Sequence, residues 1–140
     1  MTAADNETIY RRWLDEVWGK GDMAVSAELI ADDVVDHDAP PMLPPGRAGH
    51  DFFCQMIRGA FPDAQFTNDL SFGVDGYVTG RWTMVGTHQG PLIPFAPEPT
   101  GTSVAMSGQE IFRIEGGKIV EMWHQEGVVG LLAQLGVIPG

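Results

Sequence analysis

The segment SVAMSGQEIFRIEGGKIVEMWHQ, residues 103–125, decides the fold of this chain. It contains two apolar-rich runs, 103–114 and 118–125, on either side of the pair Gly116-Gly117. Two such runs joined by a short glycine turn predict a β-hairpin. Glu110 and His124 are about equally far from its centre, so we expect them to be cross-strand neighbours, whose Cβ atoms lie ~4.5–5.5 Å apart when directly opposed.

The residues before the hairpin add helices and strands in a simple order. Apolar residues at helical spacing predict helices, and alternating or continuous apolar runs predict strands. The predicted helices are 6–18, 23–31 and 49–60, with a further apolar segment at 128–135, and the other predicted strands are 34–38, 65–74 and 77–88. Four prolines between residues 39 and 46 predict a loop, and Asp36 and Asp38 before them are expected to be turn residues. Helices followed by consecutive antiparallel strands predict an α+β fold, with three helices covering one face of a bent sheet.

Length, charge and cysteine content limit the class of protein. A chain of 140 residues predicts a single domain over residues 1–140. The formal net charge of −11 argues against a nucleic-acid partner, and no apolar stretch approaches the ~20 residues that span a membrane. A lone cysteine, Cys54, permits no internal disulfide, and residues 1–8 lack the features of a secretory signal, so we expect a cytoplasmic protein.

Several short strings resemble the SnoaL-like polyketide cyclase family. They are AFPD at 60–63, GTHQG at 86–90 with PTG at 99–101, FRIEGGKIVEMW at 112–123 and GLLAQLG at 130–136, and DVVDH at 33–37 extends the likeness. The resemblance implies the cone-shaped fold related to nuclear transport factor 2 and ketosteroid isomerase. In that fold, N-terminal helices pack on a strongly bent antiparallel or mixed sheet that encloses one internal pocket for an apolar small molecule.

The resemblance also implies a reaction and two catalytic positions. The family's cyclases close a ring by intramolecular aldol condensation without cofactor or metal: a base removes a C–H proton beside a carbonyl, and a second group donates to the developing alkoxide. The positions that hold an Asp and a His in the founding cyclase hold His124 and Glu110 here, so the acid and the imidazole have changed places. We expect His124 to be the base and Glu110 its orienting partner, or the reverse. A solvated cross-strand pair on an ordinary sheet is the alternative.

Three functions follow from this resemblance. The first is a cofactor-independent cyclase or isomerase acting on an apolar carbonyl compound. The second is a non-catalytic ligand-binding or accessory protein, such as an oxygenase helper, which the replacement of the usual Asp by His124 favours. The third is an epoxide hydrolase-like enzyme, which would need an arginine in the pocket, whereas Arg81 has the opposite strand parity from Trp82.

Further residues are predicted to line the pocket. They are His37, His88, Trp82, Met84, Phe53, Met56, Phe72, Phe112 and Met122. Core packing would explain the apolar ones equally well; His37 could instead bond loop backbone near Pro40, and His88 could cap its strand. His37, His88 and His124 lie on separate strands without a local ligand pair, so we expect no metal site, and no cofactor-binding motif is present.

The outer face of the predicted sheet carries Ile111, Ile119 and Trp123. Left uncovered, these side chains would form a contiguous apolar patch, which is unusual for a monomer. We therefore expect a homodimer whose twofold interface covers the outer sheet face.

Overall fold

The five strands of the protein form one mixed sheet. The computed structural model describes residues 2–140, so Met1 of the predicted 1–140 domain lies outside it. The strands are β1 Ile30–Asp36, β2 Gln65–Val74, β3 Tyr77–Thr87, β4 Ser103–Glu115 and β5 Lys118–Glu126; the helices are α1 Ala3–Arg12, α2 Met23–Leu29, α3 Arg47–Ala60 and α4 Val128–Gln134. A π-helical segment, Trp13–Trp18, continues α1. These elements confirm the predicted α+β class.

The sheet order is β1-β5-β4-β3-β2. The strands from β2 to β5 pair antiparallel in sequence order, and β1 is added at the edge by parallel pairing with β5. The N-terminal helices and the π-helical segment contact β1, β2 and β3, so they cover one face of the sheet, which does not close on itself. The end of β1 lies beside the second half of β5, which in turn pairs with the middle of β4.

A β-bulge in the hairpin changes which residues of β5 face inward. Arg113 pairs with Glu121 while the next residue, Ile114, pairs with Ile119, so Val120 is an extra residue on β5. An extra residue reverses the alternation of side chains on one side of the bulge. Ile119 is consequently fully buried, and its prediction as an outer-face residue is wrong.

Helix boundaries differ from the predicted ones by a few residues. Helix α1 begins three residues earlier because Thr2 is its cap: the Thr2 hydroxyl accepts from the Asp5 N–H, and the Asp5 carboxylate accepts from the Thr2 N–H. Asn6, the first residue of the predicted helix 6–18, lies inside α1, is buried and donates to the Val74 carbonyl at 2.8 Å. Helix α2 ends at Leu29 because β1 already begins at Ile30.

Two glycines let aromatic rings lie directly on the inner face of the sheet. A Cβ on Gly80 would come within 2.1 Å of the Tyr10 ring, and one on Gly108 within 2.3 Å of the Trp82 indole. Both rings are buried in the core that the helices form with the sheet. The indole of Trp82 therefore reaches across β4 toward Glu110. Among residues 2–140, no helix combines the length and the apolar character that crossing a membrane requires.

Candidate acid–base site

Strand pairing brings a carboxyl group and an imidazole together on the inner face of the sheet. Glu110 of β4 pairs with His124 of β5, as the hairpin predicted, and with Gly80 of β3 on its other side. Asp36, at the end of β1, pairs with Met122 of β5, two residues before His124. The site therefore draws on four adjacent strands.

Glu110 is the buried member of the site. Only 3% of the residue is exposed, and its Oε2 accepts a hydrogen bond from Trp82 Nε1 at 2.9 Å. Burial raises the pKa of Glu110 to about 8, although the positive charge of His124 and the indole N–H both favour the carboxylate. A carboxyl group in this state can give or take a proton near neutral pH.

His124 is bonded to carboxylates through both ring nitrogens. Its Nε2 lies 2.9 and 3.0 Å from the two carboxylate oxygens of Asp36, and its Nδ1 lies 2.5 Å from Glu126 Oε1. Burial opposes the charged ring, but these two hydrogen bonds outweigh burial and raise the pKa of His124 to about 11. The carboxylates on both sides of the ring therefore favour the charged form of His124.

The partners of His124 differ from those expected. We expected Glu110 to orient His124, whereas the ring binds Asp36 and Glu126. The cause is the parallel pairing of β1 with β5, which places the end of β1 beside the ring. Asp36 also accepts the N–H of Asp38, so it keeps the predicted turn role, and Asp38 in turn accepts the backbone N–H of His124 at 2.8 Å.

One group of donors in the described part of the chain could converge on a metal ion. Glu110, His124 and Glu126 each offer an atom, and these atoms lie within 4.8 Å of one another. A metal would need a lone pair on the imidazole, whereas each ring nitrogen of His124 already lies within hydrogen-bond distance of a carboxylate. The arrangement as it stands suits proton transfer better than metal ligation.

His37 lies on the outer face of the sheet. Its Nε2 is 2.7 Å from Glu121 Oε2, and its ring stacks on Trp123 with centroids 4.7 Å apart. Strand alternation explains the position, because Asp36 points inward and the next side chain must then point outward. The structure therefore corrects the expectation that His37 lines the pocket.

His88 is completely buried at the end of β3, next to Phe61. Its Nδ1 accepts the Thr100 N–H at 3.1 Å and lies 2.9 Å from the Thr100 hydroxyl, which leaves the ring proton on Nε2. His88 also exchanges backbone hydrogen bonds with the residues that precede β4. This is the strand-end role that the sequence left open, and a ligand contact of His88 stays a prediction.

Except for Phe72, which is exposed on the outer face, the apolar residues predicted to line the pocket fall into two groups. Trp82, Met84, Phe112 and Met122 are at most 5% exposed and belong to the core, whereas Phe53 and Met56 are half-buried on α3. Ring contacts at 5.8–5.9 Å run from Phe53 through Trp18 and Phe66 to Trp82, whose indole binds Glu110. A continuous aromatic wall thus leads from half-buried rings to the buried carboxyl group.

Two grooves on the surface lie away from this site. One, of about 500 Å³, lies on the outer face between β1 and the β4–β5 hairpin, and the other, of about 590 Å³, lies along the ends of β2, β3 and β4. Neither groove is lined by Glu110 or His124. Asp36 and Glu126 have side chains that are 22% and 21% exposed, so solvent reaches the acid–base cluster from their side.

The family model for the SnoaL-like polyketide cyclases matches residues 8–135. This chain belongs to that family. Among solved structures it is similar to IdmH, a candidate polyketide cyclase from Streptomyces antibioticus, with 31% identity, a TM-score of 0.79 and coverage of 94% of this chain and 98% of that one. A candidate polyketide cyclase from Bacillus cereus is 25% identical with a TM-score of 0.83, over 96% of this chain and 82% of that one. TsrD from Streptomyces laurentii, 20% identical with a TM-score of 0.87 and 99% of each chain covered, shares the fold. No curated protein matches the chain significantly.

This SnoaL-like protein contains a second histidine network that the sequence did not reveal. The Nε2 atom of His50 accepts the indole N–H groups of Trp13 at 3.0 Å and of Trp18 at 3.3 Å. Its Nδ1 lies 2.9 Å from Asp51 Oδ1, which also accepts the Ser26 hydroxyl. Because Nε2 accepts, His50 is neutral with its proton on Nδ1. The π-helical spacing that brings the two indoles together has no signature in the sequence.

Proposed function

We propose that this SnoaL-like protein is a cofactor-independent enzyme of the cyclase or isomerase type that moves protons on an apolar, polyketide-like carbonyl compound. The observation that carries the proposal is the buried Glu110 carboxyl, which lies beside the imidazolium of His124 and is bonded by the indole N–H of Trp82. A carboxyl group whose pKa is near the working pH is suited to general acid–base catalysis.

The roles of the two residues follow from their charge. The ionised Glu110 takes a proton from a carbon beside a carbonyl, and the electron pair of the broken C–H bond becomes an enolate. The fixed positive charge of His124 stabilises the enolate oxygen electrostatically. In a cyclase the enolate carbon attacks a second carbonyl of the same molecule, and the resulting alkoxide takes back the proton that Glu110 holds. In an isomerase the proton returns to another carbon.

The aromatic wall supplies the binding surface in this proposal. Phe53 and Met56 are half-buried and would meet the ligand first, while Trp82 both contacts it and orients Glu110. Aromatic rings and methionine give an apolar, adaptable surface that suits flat multi-ring molecules. The core residues Met84, Phe112 and Met122 would lie behind this binding surface.

Proton exchange at carbon tests the proposed reaction. We expect the protein to catalyse deuterium exchange into a panel of apolar ketones and β-dicarbonyl compounds that includes 2-tetralone, followed by NMR in deuterated water. Glu110→Gln keeps the shape but cannot transfer the proton, so the catalysed rate should fall by about 100-fold or more. Glu98→Gln, at an exposed loop glutamate, is the matched control. No catalysed exchange across the panel, or equal rates in wild type and Glu110→Gln, would contradict the proposal.

A non-catalytic ligand-binding or accessory role is the second candidate. It is favoured by His124 at the position where the founding cyclase carries an Asp, because neither ring nitrogen has a lone pair with which to act as a base. Under this role, ligands would bind and quench tryptophan fluorescence without any exchange. An epoxide hydrolase-like reaction has less support, since Arg81 is exposed and bonded to Ser107 on the outer face.

In this proposal the chain acts as one domain and as a cytoplasmic homodimer. An apolar row crosses the outer sheet face, because the register aligns Phe72, Thr79, Ile111 and Trp123 on four neighbouring strands. Phe72 is 55% and Ile111 47% exposed. Covering this row would bury apolar surface that the single chain leaves in water.

A further inference from the structure

Two acidic residues contact His124, and the reaction as described assigns no role to either. Asp36 approaches Nε2 from the end of β1, and Glu126 approaches Nδ1 from the end of β5. Each bond comes from a different strand, so neither depends on the other for its geometry. Together they hold the ring in one plane beside Glu110.

The geometry of these bonds fixes the number of protons on the ring. A neutral imidazole has one N–H donor and one lone pair, whereas an imidazolium has two donors. Ionised carboxylates only accept, so a lone pair facing either Asp36 or Glu126 would be repelled. His50 shows the opposite case in the same molecule, because two indole donors face its Nε2. The acceptors around His124 therefore favour a charged ring, and the donors at Nε2 of His50 favour a neutral one.

We propose that Asp36 and Glu126 are positioning residues that hold His124 as a permanent imidazolium, so that it serves as a fixed positive charge and Glu110 alone transfers the proton. This inference rests on the proposed function and deepens it. The substrates that gain from such a charge are those in which negative charge develops on oxygen, as in enolates and alkoxides. Where the founding cyclase carries an Asp on the last strand, this chain therefore carries a cation, His124. The group that transfers the proton, Glu110, lies on the neighbouring strand.

The charge on His124 is balanced by acids from every strand that packs around it. Asp36 faces it from β1, Glu110 from β4 and Glu126 from β5, while Asp38 accepts its backbone N–H from the loop after β1. Removing one acid should therefore lower the pKa of His124 only in part, because the remaining carboxylates still stabilise the charged ring. The titration of His124 should respond in a graded way.

Side-chain nitrogen NMR of the four histidines tests the inference without a substrate. In the wild type we expect both nitrogens of His124 to keep the imidazolium shift from pH 5.5 to 9.5, with the signal assigned by its loss in His124→Ala. Asp36→Asn and Glu126→Gln should each lower the titration midpoint of His124 by about 1–3 pH units, the size of effect expected for one close opposite charge. Asp33→Asn, an exposed position on the same strand, is the control and should leave it unchanged.

The pH profile of ketone exchange separates this inference from the proposed function. In the wild type the rate should rise with pH through the ionisation of Glu110, and Asp36→Asn should move that rise to lower pH, because the negative charge of Asp36 helps to raise the pKa of Glu110. A neutral His124 at pH 7 in the wild type, or an unchanged His124 titration in Asp36→Asn, would overturn the inference. An imidazolium signal together with normal exchange in Glu110→Gln would instead overturn the function and leave the charge of His124 standing.

Discussion

Glu110 and His124 are adjacent titratable groups with opposite environments. Glu110 is surrounded by apolar core and one indole donor, so burial favours its neutral form. His124 is also buried, with 9% of its side chain exposed, but two carboxylates more than offset the cost of its charge. Each group therefore binds a proton in the folded protein at a pH where the unfolded chain has released it.

This difference predicts that the folded protein loses stability as the pH rises. The ordinary pKa of Glu110 is 4.5 and its folded value is about 8, so stability that is present below pH 4.5 is lost as the pH rises toward 8. His124, raised from 6.5 to about 11, acts in the same direction at higher pH.

Thermal unfolding at a series of pH values measures this loss. We expect the Tm of the wild type to fall between pH 6 and pH 9, and Glu110→Gln to fall less, because it carries no charge to bury at high pH. Glu98→Gln, which changes an exposed acid, should follow the wild type. A Tm that is flat or rising over this range would contradict a buried, protonated Glu110.

At the scale of secondary structure, local sequence patterns predicted most elements and missed those that depend on distant pairing. The bounds of β2 match the predicted 65–74, since alternation and the Asp75-Gly76 turn are local signals. The parallel pairing of β1 with β5 joins residues far apart in the chain, and no local pattern encodes it. The sequence consequently predicted a turn residue or a member of a carboxylate pair at Asp36, and not a partner of His124. The bulge at Val120 lies in the local hairpin of β4 and β5, but it was also missed, and with it the burial of Ile119.

The close approach of α1 to β3 gives a prediction at this scale. Gly80→Ala would place a Cβ 2.1 Å from the Tyr10 ring, so the helix and the strand must separate, with a loss of about 1–3 kcal/mol or more in unfolding free energy. Gly59→Ala, in α3, meets no atom within 4 Å and should be neutral or stabilising by up to about 1 kcal/mol. Urea unfolding of both variants measures the difference. Equal stabilities would show that Tyr10 does not lie against the strand.

At the scale of the whole molecule, the inner and outer faces of the sheet differ in what they contain. The inner face holds the core and the acid–base site, whereas the outer face exposes an apolar row that includes Phe72 and Ile111. The sequence assigned most residues to the correct face, but it was wrong at Ile119, at His37 and at Phe72, which was predicted to line the pocket and is exposed on the outer face. Parity could not show which acids would surround His124, because two of them come from strand ends.

The outer face predicts the state of assembly. Ile111→Asp places a charge in the centre of the apolar row and should convert a homodimer into a monomer with the acid–base site intact. Val129→Asp, at a 73% exposed position on α4, adds the same charge elsewhere and should leave the dimer unchanged. Light scattering during size-exclusion chromatography measures the mass of each. A wild type that is monomeric at micromolar concentration would contradict the predicted dimer.

The proposed reaction depends most on one buried carboxyl group, Glu110, that keeps its proton near neutral pH beside a fixed positive charge. Carbon-13 NMR of protein labelled at the glutamate carboxyl carbons, with the Glu110 signal assigned by its loss in Glu110→Gln, measures that ionisation directly. We predict a single titration with a pKa of about 8. A Glu110 signal that is already fully ionised at pH 6 would contradict the account.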